Sequence, residues 1–430
     1  MRRNDIKIGL DIGSSQVRIV VAMRDEGGFR VLGSGKTSCS GLRKGIVVSI
    51  EETTNAINKA AEIVEKISGI PIDRAVVNIG GSHLRVQPAR GVVSVSKPDG
   101  DVEYKDVERA LSAAQAIFPP EMSANREIIH IIPRSFTLDN QSDIRDPVGM
   151  NGMRLEVDAL IVTGSTPYNR NLGKCIAQAG IEIESIMASP LASAESVLNR
   201  RQKELGVAVV DIGSGTTNLA VFEEDQLLHM ASLPIGSSHI TNDIAIGLKT
   251  SIEVAEKVKL EYGSTISKDV SSKKEINLSR ISKSEEGTVK AKEISEIIEA
   301  RMEEILHLIN KELKKIKRDG MLPAGIVLTG GGAKLPGLVD LTKKELNLPA
   351  QIGFPVRLGG VSDALEDPAF AVVTGLIVAE NQEKEDSGRS ASGFFDWFNG
   401  FFQKIGKRSG GSDASQSVEK IKEWFKTFLP

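Results

Sequence analysis

The chain has 430 residues, enough for several domains, with 40% apolar and 26% charged residues, the balance of a soluble globular protein. Its 54 basic and 57 acidic side chains leave a formal net charge of −3, which excludes a nucleic-acid binder working by bulk positive charge. Two cysteines, Cys39 and Cys175, exclude a disulfide scaffold and a four-cysteine zinc site, and no stretch approaches the roughly 20 apolar residues that span a bilayer. The first residues run directly into a strand pattern, so a cytosolic chain without a signal peptide is expected.

Residues 7–22, KIGLDIGSSQVRIVVA, read as two apolar strands joined by a Gly-containing turn. A helical stripe follows over 51–67, with Ile57, Ala60, Ala61, Val64 and Ile67 on one face, and then a short strand at 75–79. Between 84 and 164 the pattern changes to strands near 92–95, 127–132 and 155–162 with one helix at 105–117, a small inserted α+β unit. Residues 207–222, VAVVDIGSGTTNLAVF, repeat the opening hairpin, with Asp211 standing 200 positions after Asp11. A repeat of that size predicts two similar α/β lobes facing each other.

A second polar insertion spans about 236–320. Its middle, 271–287, is poor in large apolar residues and reads as a solvated hairpin or loop. A long helix follows with Ile294, Ile297, Ile298, Met302, Ile305, Ile309 and Leu313 on one face and lysines at its end, where cations suit the helix macrodipole. Arg301 lies at or beside that apolar stripe and is expected to snorkel over the core edge. A strand at 326–329 then runs into Gly330-Gly331-Gly332-Ala333.

Turns rich in Gly and Ser/Thr let backbone N–H groups approach an anion closely, and hydroxyls add donors. Gly13-Ser14-Ser15 and Gly213-Ser214-Gly215-Thr216-Thr217 both qualify, and each follows an aspartate. Asp11 and Asp211 would repel a phosphate directly but could hold Mg²⁺ through its waters. Two such turns from two lobes could clamp one polyphosphate, and the triple glycine permits flat approach to a nucleoside. No P-loop and no dinucleotide fingerprint occurs.

DIGSSQVR, DIGSGTTN and VLTGGGAKLPG resemble the two phosphate motifs and the adenosine motif of the actin/Hsp70/sugar-kinase superfamily. Residues 189–196 and 368–375 resemble its two connecting helices, and 255–263 resembles the helix that offers acid and base to the nucleoside. Within that superfamily the sequence is most similar to the FtsA family of bacterial cell-division proteins, over residues 5 to about 380 and again at the extreme C-terminus. The resemblance implies an α/β, actin-like duplicated ATPase fold with an inserted α+β subdomain and a C-terminal amphipathic tail.

Its expected parts are 1–83 with 369–380 as lobe 1A, 84–165 as inserted subdomain 1C, 166–235 with 320–368 as lobe 2A, and 236–319 as subdomain 2B. A linker over 381–417, carrying an aromatic block at 394–405, and a membrane-targeting helix at 418–430 would follow. ATP and Mg²⁺ are the implied cofactors. Asp11, Gly13, Ser14, Ser15 and Arg18 would form the first turn, and Asp211, Gly213, Ser214, Gly215, Thr216, Thr217 and Asn218 the second. Gly330, Gly331, Gly332 and Ala333 would face the nucleoside, with Glu256 and Lys259 on its base or ribose. The implied partners are the FtsZ C-terminal tail near Arg301, other copies in a filament, later division proteins through 84–165, and inner-membrane lipid at the cytoplasmic face of the division site.

Where hydrolytic relatives place a water-orienting Gln or Glu, this chain has Ser189 ahead of Pro190. A serine without a partner is a poor base, so ATP binding with very slow hydrolysis is expected. Glu195 is the candidate base, read otherwise as a helix-surface carboxylate.

Of 13 Phe, 3 Tyr and 2 Trp, seven Phe and both Trp lie between 394 and 428, flanked by stretches of disordered composition. Val418, Ile421, Trp424, Phe425, Phe428 and Leu429 share one helical face, with Lys and Glu opposite. That composition suits an interfacial membrane helix. Phe394, Phe395, Phe398, Phe401, Phe402 and Ile405 repeat the pattern. A small-molecule kinase would need a carboxylate base and a substrate cleft, for which no signature is found. A pilus-assembly adaptor of the same fold would generally lack the aromatic end, and an Hsp70-type chaperone would carry a substrate-binding β-domain after the ATPase.

Overall fold

The computed structural model describes residues 5–25, 28–116, 125–283 and 285–379. Both aromatic segments of the tail, with Ile421, Trp424, Phe425, Phe428 and Leu429, lie outside them. The described chain divides into two compact units, a larger one of residues 5–88, 125–130 and 160–379 and a smaller one of 89–116 and 131–159.

The smaller unit centres on a four-stranded sheet, in the order Arg85–Ser94, Arg154–Ser165, Arg126–Leu138, Gln141–Ile144, with a helix at Tyr104–Ala116. The strands run longer than the sequence pattern suggests, and the short Gln141–Ile144 strand was not expected. Gly91 lets the helix lie directly on the sheet, because a Cβ there would stand 1.9 Å from Ala110 O. Asp106, buried at the helix start, accepts from the backbone N–H groups of Ser96 and Glu103, each at 3.0 Å. Burial works against its charge, but these bonds and the Ser96 hydroxyl hold the carboxyl below its usual range.

The larger unit contains two sheets of one topology. In the first, β1 (Ile6–Ile12), β2 (Gln16–Asp25) and β3 (Gly28–Ser38) form an antiparallel meander. Strands β4 (Arg74–Ile79) and β5 (Glu182–Ala188) then add in parallel beyond β1, giving the order β5-β4-β1-β2-β3, with Gly359–Gly360 at the far edge. The second sheet repeats this with β6 (Val207–Ile212), β7 (Thr217–Glu223), β8 (Gln226–Leu233), β9 (Gly325–Thr329) and β10 (Ala350–Ile352), in the order β8-β7-β6-β9-β10. Runs such as 207–210, wholly apolar rather than alternating, follow from burial on both faces.

Helix α1 (Ile50–Ser68) covers the first sheet. The Ser49 hydroxyl caps it by accepting from Glu52 N, and Gly69, in the left-handed conformation at φ 69°, ends it. Helix α2 is Thr166–Gln178. Helices α3 (Ser189–Val197) and α8 (Ala371–Val378) are almost wholly buried and connect the two lobes. They cross where Gly375 has no room for a side chain: a Cβ there would stand 1.7 Å from Ala192 O. Burial on all sides explains why neither helix shows an amphipathic stripe.

Helices α4 (Ser237–Leu248), α5 (Ile252–Tyr262) and α6 (Ala291–Lys315) belong to the second lobe. Ile294, Ile298, Met302, Ile305, Ile309 and Leu313 of α6 are fully buried, and Ile297 lies at the edge of that cluster. Glu275–Asn277 and Thr288–Lys290 pair as a short hairpin, as the polar composition there suggests. Helix α7 (Leu338–Leu346) follows the triple glycine.

Candidate functional site

Register sets the site. In the first hairpin Asp11 stands opposite Arg18, and in the second Asp211 stands opposite Asn218. Each turn is closed by the same bond, Gly13 N to Gln16 O at 3.0 Å and Gly213 N to Thr216 O at 2.9 Å. The facing residue in each case donates to its aspartate: Arg18 Nη1 to Asp11 Oδ2 at 3.3 Å, and Asn218 Nδ2 to Asp211 Oδ2 at 3.0 Å. The second turn is further fixed by the start of α4, whose Ser237 and Ser238 N–H groups donate to Gly213 O and Ser214 O at 2.9 Å.

The turns come together from the two lobes. A Cβ on Gly215 would lie 2.7 Å from Ser14 Oγ, so only glycine lets the second turn approach the first so closely. Gly330, at φ 83°, likewise has no space for a side chain, since a Cβ would stand 2.2 Å from Asp211 Oδ1. Between them opens a cleft of about 740 Å³, within the usual range for a small-molecule site.

All the residues expected at a nucleotide line this cleft except Thr217 and Ala333. Thr217 is buried and donates to Ile235 O at 2.9 Å, so its hydroxyl serves the fold. Ala333 is buried behind the glycine run. Glu195 is neither a base in the cleft nor a surface carboxylate. It is buried on α3, and its Oε1 accepts from Lys203 Nζ at 2.8 Å, with Lys203 over the Phe222 ring. Arg301 does not snorkel; it makes a bidentate pair with Asp243 of α4, at 2.6 and 2.9 Å, and a further contact to Glu304.

On the far wall, Lys259 donates to Glu256 Oε2 at 2.7 Å and to Thr241 Oγ1 at 2.9 Å, so acid and base enter the cleft as a preset pair. Sequence reasoning missed Asn78, Thr241, Lys36 and the Lys334–Asp367 pair, all in the lining. It also missed how Ser189 is used: its hydroxyl accepts from Asn78 Nδ2 at 3.1 Å and donates to Ile79 O at 3.2 Å. Only the short strand pattern at 75–79 hinted that Asn78 would end near the first turn.

The two aspartates, 5% and 6% exposed, share this one cleft. Burial pushes Asp11 above the usual carboxylate range against the pull of Arg18, and pushes Asp211 up to about 6, with Asn218 opposing and Asp11 adding repulsion. Arg18 keeps a buried Nε without a hydrogen-bond partner among the described residues. That orphaned donor fits an anion's oxygen, while two buried carboxylates lining one cleft fit a divalent cation. Among the described residues no group of three acidic, His or Cys side chains could hold a metal alone, so waters and a ligand's oxygens would complete the shell.

Two sheets of one topology about a shared cleft, each placing an aspartate-led turn in it, define an actin-like fold. Among solved structures the chain is similar to the PilM-PilN type IV pilus biogenesis complex, with a TM-score of 0.62 and 17% identity over 86% of this chain and 97% of that one. It is similar also to MreB 5 of Spiroplasma citri bound to AMPPNP, with a TM-score of 0.52 and 14% identity over 89% and 98%. A family model for Cell division protein FtsA matches residues 208–375, and one for the SHS2 domain inserted in FTSA matches 81–163. Cell division protein FtsA of Pseudomonas aeruginosa is 34% identical over 420 residues, 97% of this chain and 96% of that one. The Bacillus subtilis protein of the same name is 36% identical over 377 residues, 88% and 84%. The chain belongs to the FtsA family of cell division proteins.

Proposed function

We propose that the cleft binds ATP with Mg²⁺ and that the nucleotide-bound chain polymerises on the cytoplasmic membrane, tethers the FtsZ ring there and recruits later division proteins. The observation that carries the first step is the pairing of the two turns: the Gly- and Ser/Thr-rich turns 13–15 and 213–216 come from two lobes to line one cleft beside two buried carboxylates. That arrangement suits a polyphosphate held from both sides. Asp11 and Asp211 would hold the magnesium through its waters, and the cation would offset the charge of the triphosphate and of both carboxylates. Arg18 would reach the phosphates, Gly330 to Gly332 would lie flat against the nucleoside, and Glu256 with Lys259 would take its ribose or base.

Hydrolysis is slow on this reading. The Ser189 hydroxyl is committed to Asn78 and Ile79, and Glu195 is buried outside the cleft lining with one oxygen on Lys203, so neither is placed to orient a water there. ATP closing the lobes favours filaments, a shift of population. The FtsZ tail docks in the second insertion near Arg301, later division proteins dock on 84–165, and the 418–430 segment lies on lipid. Among the described residues no helix is long and apolar enough to cross a membrane. The test is Asp211→Ala: nucleotide-dependent assembly, followed by light scattering and pelleting, is lost, whereas unchanged filaments count against the reading.

A further inference from the structure

One buried side chain stands between the first turn and the connecting helix. Asn78, on β4, accepts from Ile12 N through Oδ1 at 2.8 Å and donates through Nδ2 to Asp11 Oδ1 at 2.8 Å and to Ser189 Oγ at 3.1 Å. An amide has two N–H donors, so each bond takes one, and the group cannot turn over without setting oxygen against the Asp11 carboxylate and an N–H against Ile12 N. Among the described residues the remaining oxygen of Asp11 takes only the longer bond from Arg18, at 3.3 Å. Asn78 is therefore what aims Asp11.

The second lobe shows that this is not a requirement of the fold. There the strand neighbour of Asp211 is Thr329, whose single hydroxyl proton lies within reach of two carbonyls, Gly353 O at 3.1 Å and Pro368 O at 3.2 Å, the latter just ahead of α8. Thr329 thus ties its strand to the second connecting segment as Asn78 ties β4 to the first. Of the two, the bond to a carboxylate is made by Asn78. Asp211 depends instead on Asn218, from its own hairpin, which Ser232 steadies by donating to Asn218 Oδ1 at 2.7 Å.

We propose that Asn78 is a positioning residue that aims Asp11 at the cation, and so sets how far magnesium strengthens nucleotide binding, with Ser189 holding Asn78 in place. This rests on the reading that the cleft takes ATP with magnesium. Groups that orient a metal's direct ligands typically change metal affinity by 10–100-fold when removed, and Asp11, which would act through the cation's waters, belongs at the low end of that range.

The test measures ATP affinity of the full chain by displacement of a fluorescent ATP analogue, in parallel with Mg²⁺ and with EDTA. In Asn78→Ala the gain from magnesium falls about tenfold or more while affinity in EDTA stays near that of the parent. Ser189→Ala moves the ratio in the same direction by less. A ratio equal to the parent's, or a loss of the same size in both arms as a merely structural role would give, overturns the proposal. Should Asn78→Ala fail to fold, Ser189→Ala decides: an unchanged ratio overturns it and a reduced one supports it. A parent chain that binds no ATP in either arm overturns the nucleotide reading itself, a result distinct from an unchanged ratio.

Discussion

Asp211 is the residue whose chemistry is most exposed to measurement. Its carboxyl titrates at about 6 in the folded cleft against a usual 3.8. A carboxyl whose folded value is raised binds more protons in the native state across that window, so the stability it contributes falls as pH rises from about 4 to about 6. Asp11, raised for the same reason, acts in the same direction. Without ligand, the Asp211→Asn chain is therefore expected to melt a few degrees higher than the parent at pH 7.5, since the neutral side chain removes a buried charge costing on the order of 3 kcal/mol. With MgATP the order reverses, because the cation no longer finds its carboxylate. Melting curves at pH 5 and 7.5 decide: a variant less stable than the parent at pH 7.5 without ligand would show that Asn218 over-compensates the burial.

The elements make two further predictions. Helices α3 and α8 touch backbone to backbone at Gly375, so Gly375→Ala forces them apart and costs about 3 kcal/mol or more, an overpacking penalty. The urea midpoint should fall accordingly, and nucleotide-dependent assembly should fall with it because these helices join the lobes that form the cleft. A midpoint within error of the parent would mean that the crossing is loose. The Arg301–Asp243 pair, by contrast, is a quarter exposed on both sides, at 26% each, and joins α6 to α4 at the surface. Arg301→Ala should cost under about 1 kcal/mol in stability. Its effect is expected instead in binding of a labelled FtsZ tail peptide, weakened roughly tenfold as for loss of a charged contact; anisotropy titration at unchanged melting temperature separates the two roles, and unchanged affinity places the tail elsewhere.

For the whole molecule the decisive quantity is avidity. On the proposed reading, six apolar side chains of 418–430, entering lipid at about 1 kcal/mol each, would provide roughly 6 kcal/mol of gross membrane affinity, part of it spent in ordering a short helix. A lone chain should bind lipid weakly, whereas chains linked in a polymer gain about 10²–10⁴. Co-sedimentation with anionic liposomes is therefore expected to depend on ATP and to disappear when residues 389–430 are removed. Equal sedimentation with and without those residues, or without ATP, would contradict coupling between assembly and anchoring.

The duplication was legible in the sequence because hairpins are local: strand, Asp-Ile-Gly-Ser turn and strand lie within sixteen residues, and the turn length sets how the strands pair. The burial of α6 was legible for the same reason, its face repeating with the helical period. What the chain order could not announce is which distant groups complete those local pieces. Asn78 reaches Asp11 across 67 positions and Ser189 across 111, because β4 inserts beside β1 and β5 beside β4. Arg301 finds Asp243 58 positions away through helix packing, and Glu195 turns inward to Lys203 because α3 is enclosed on every side. Local pattern, then, determined the parts and the two glycine-rich turns. Only the tertiary structure, through parallel strand insertion and helix crossing, decided which side chains aim them.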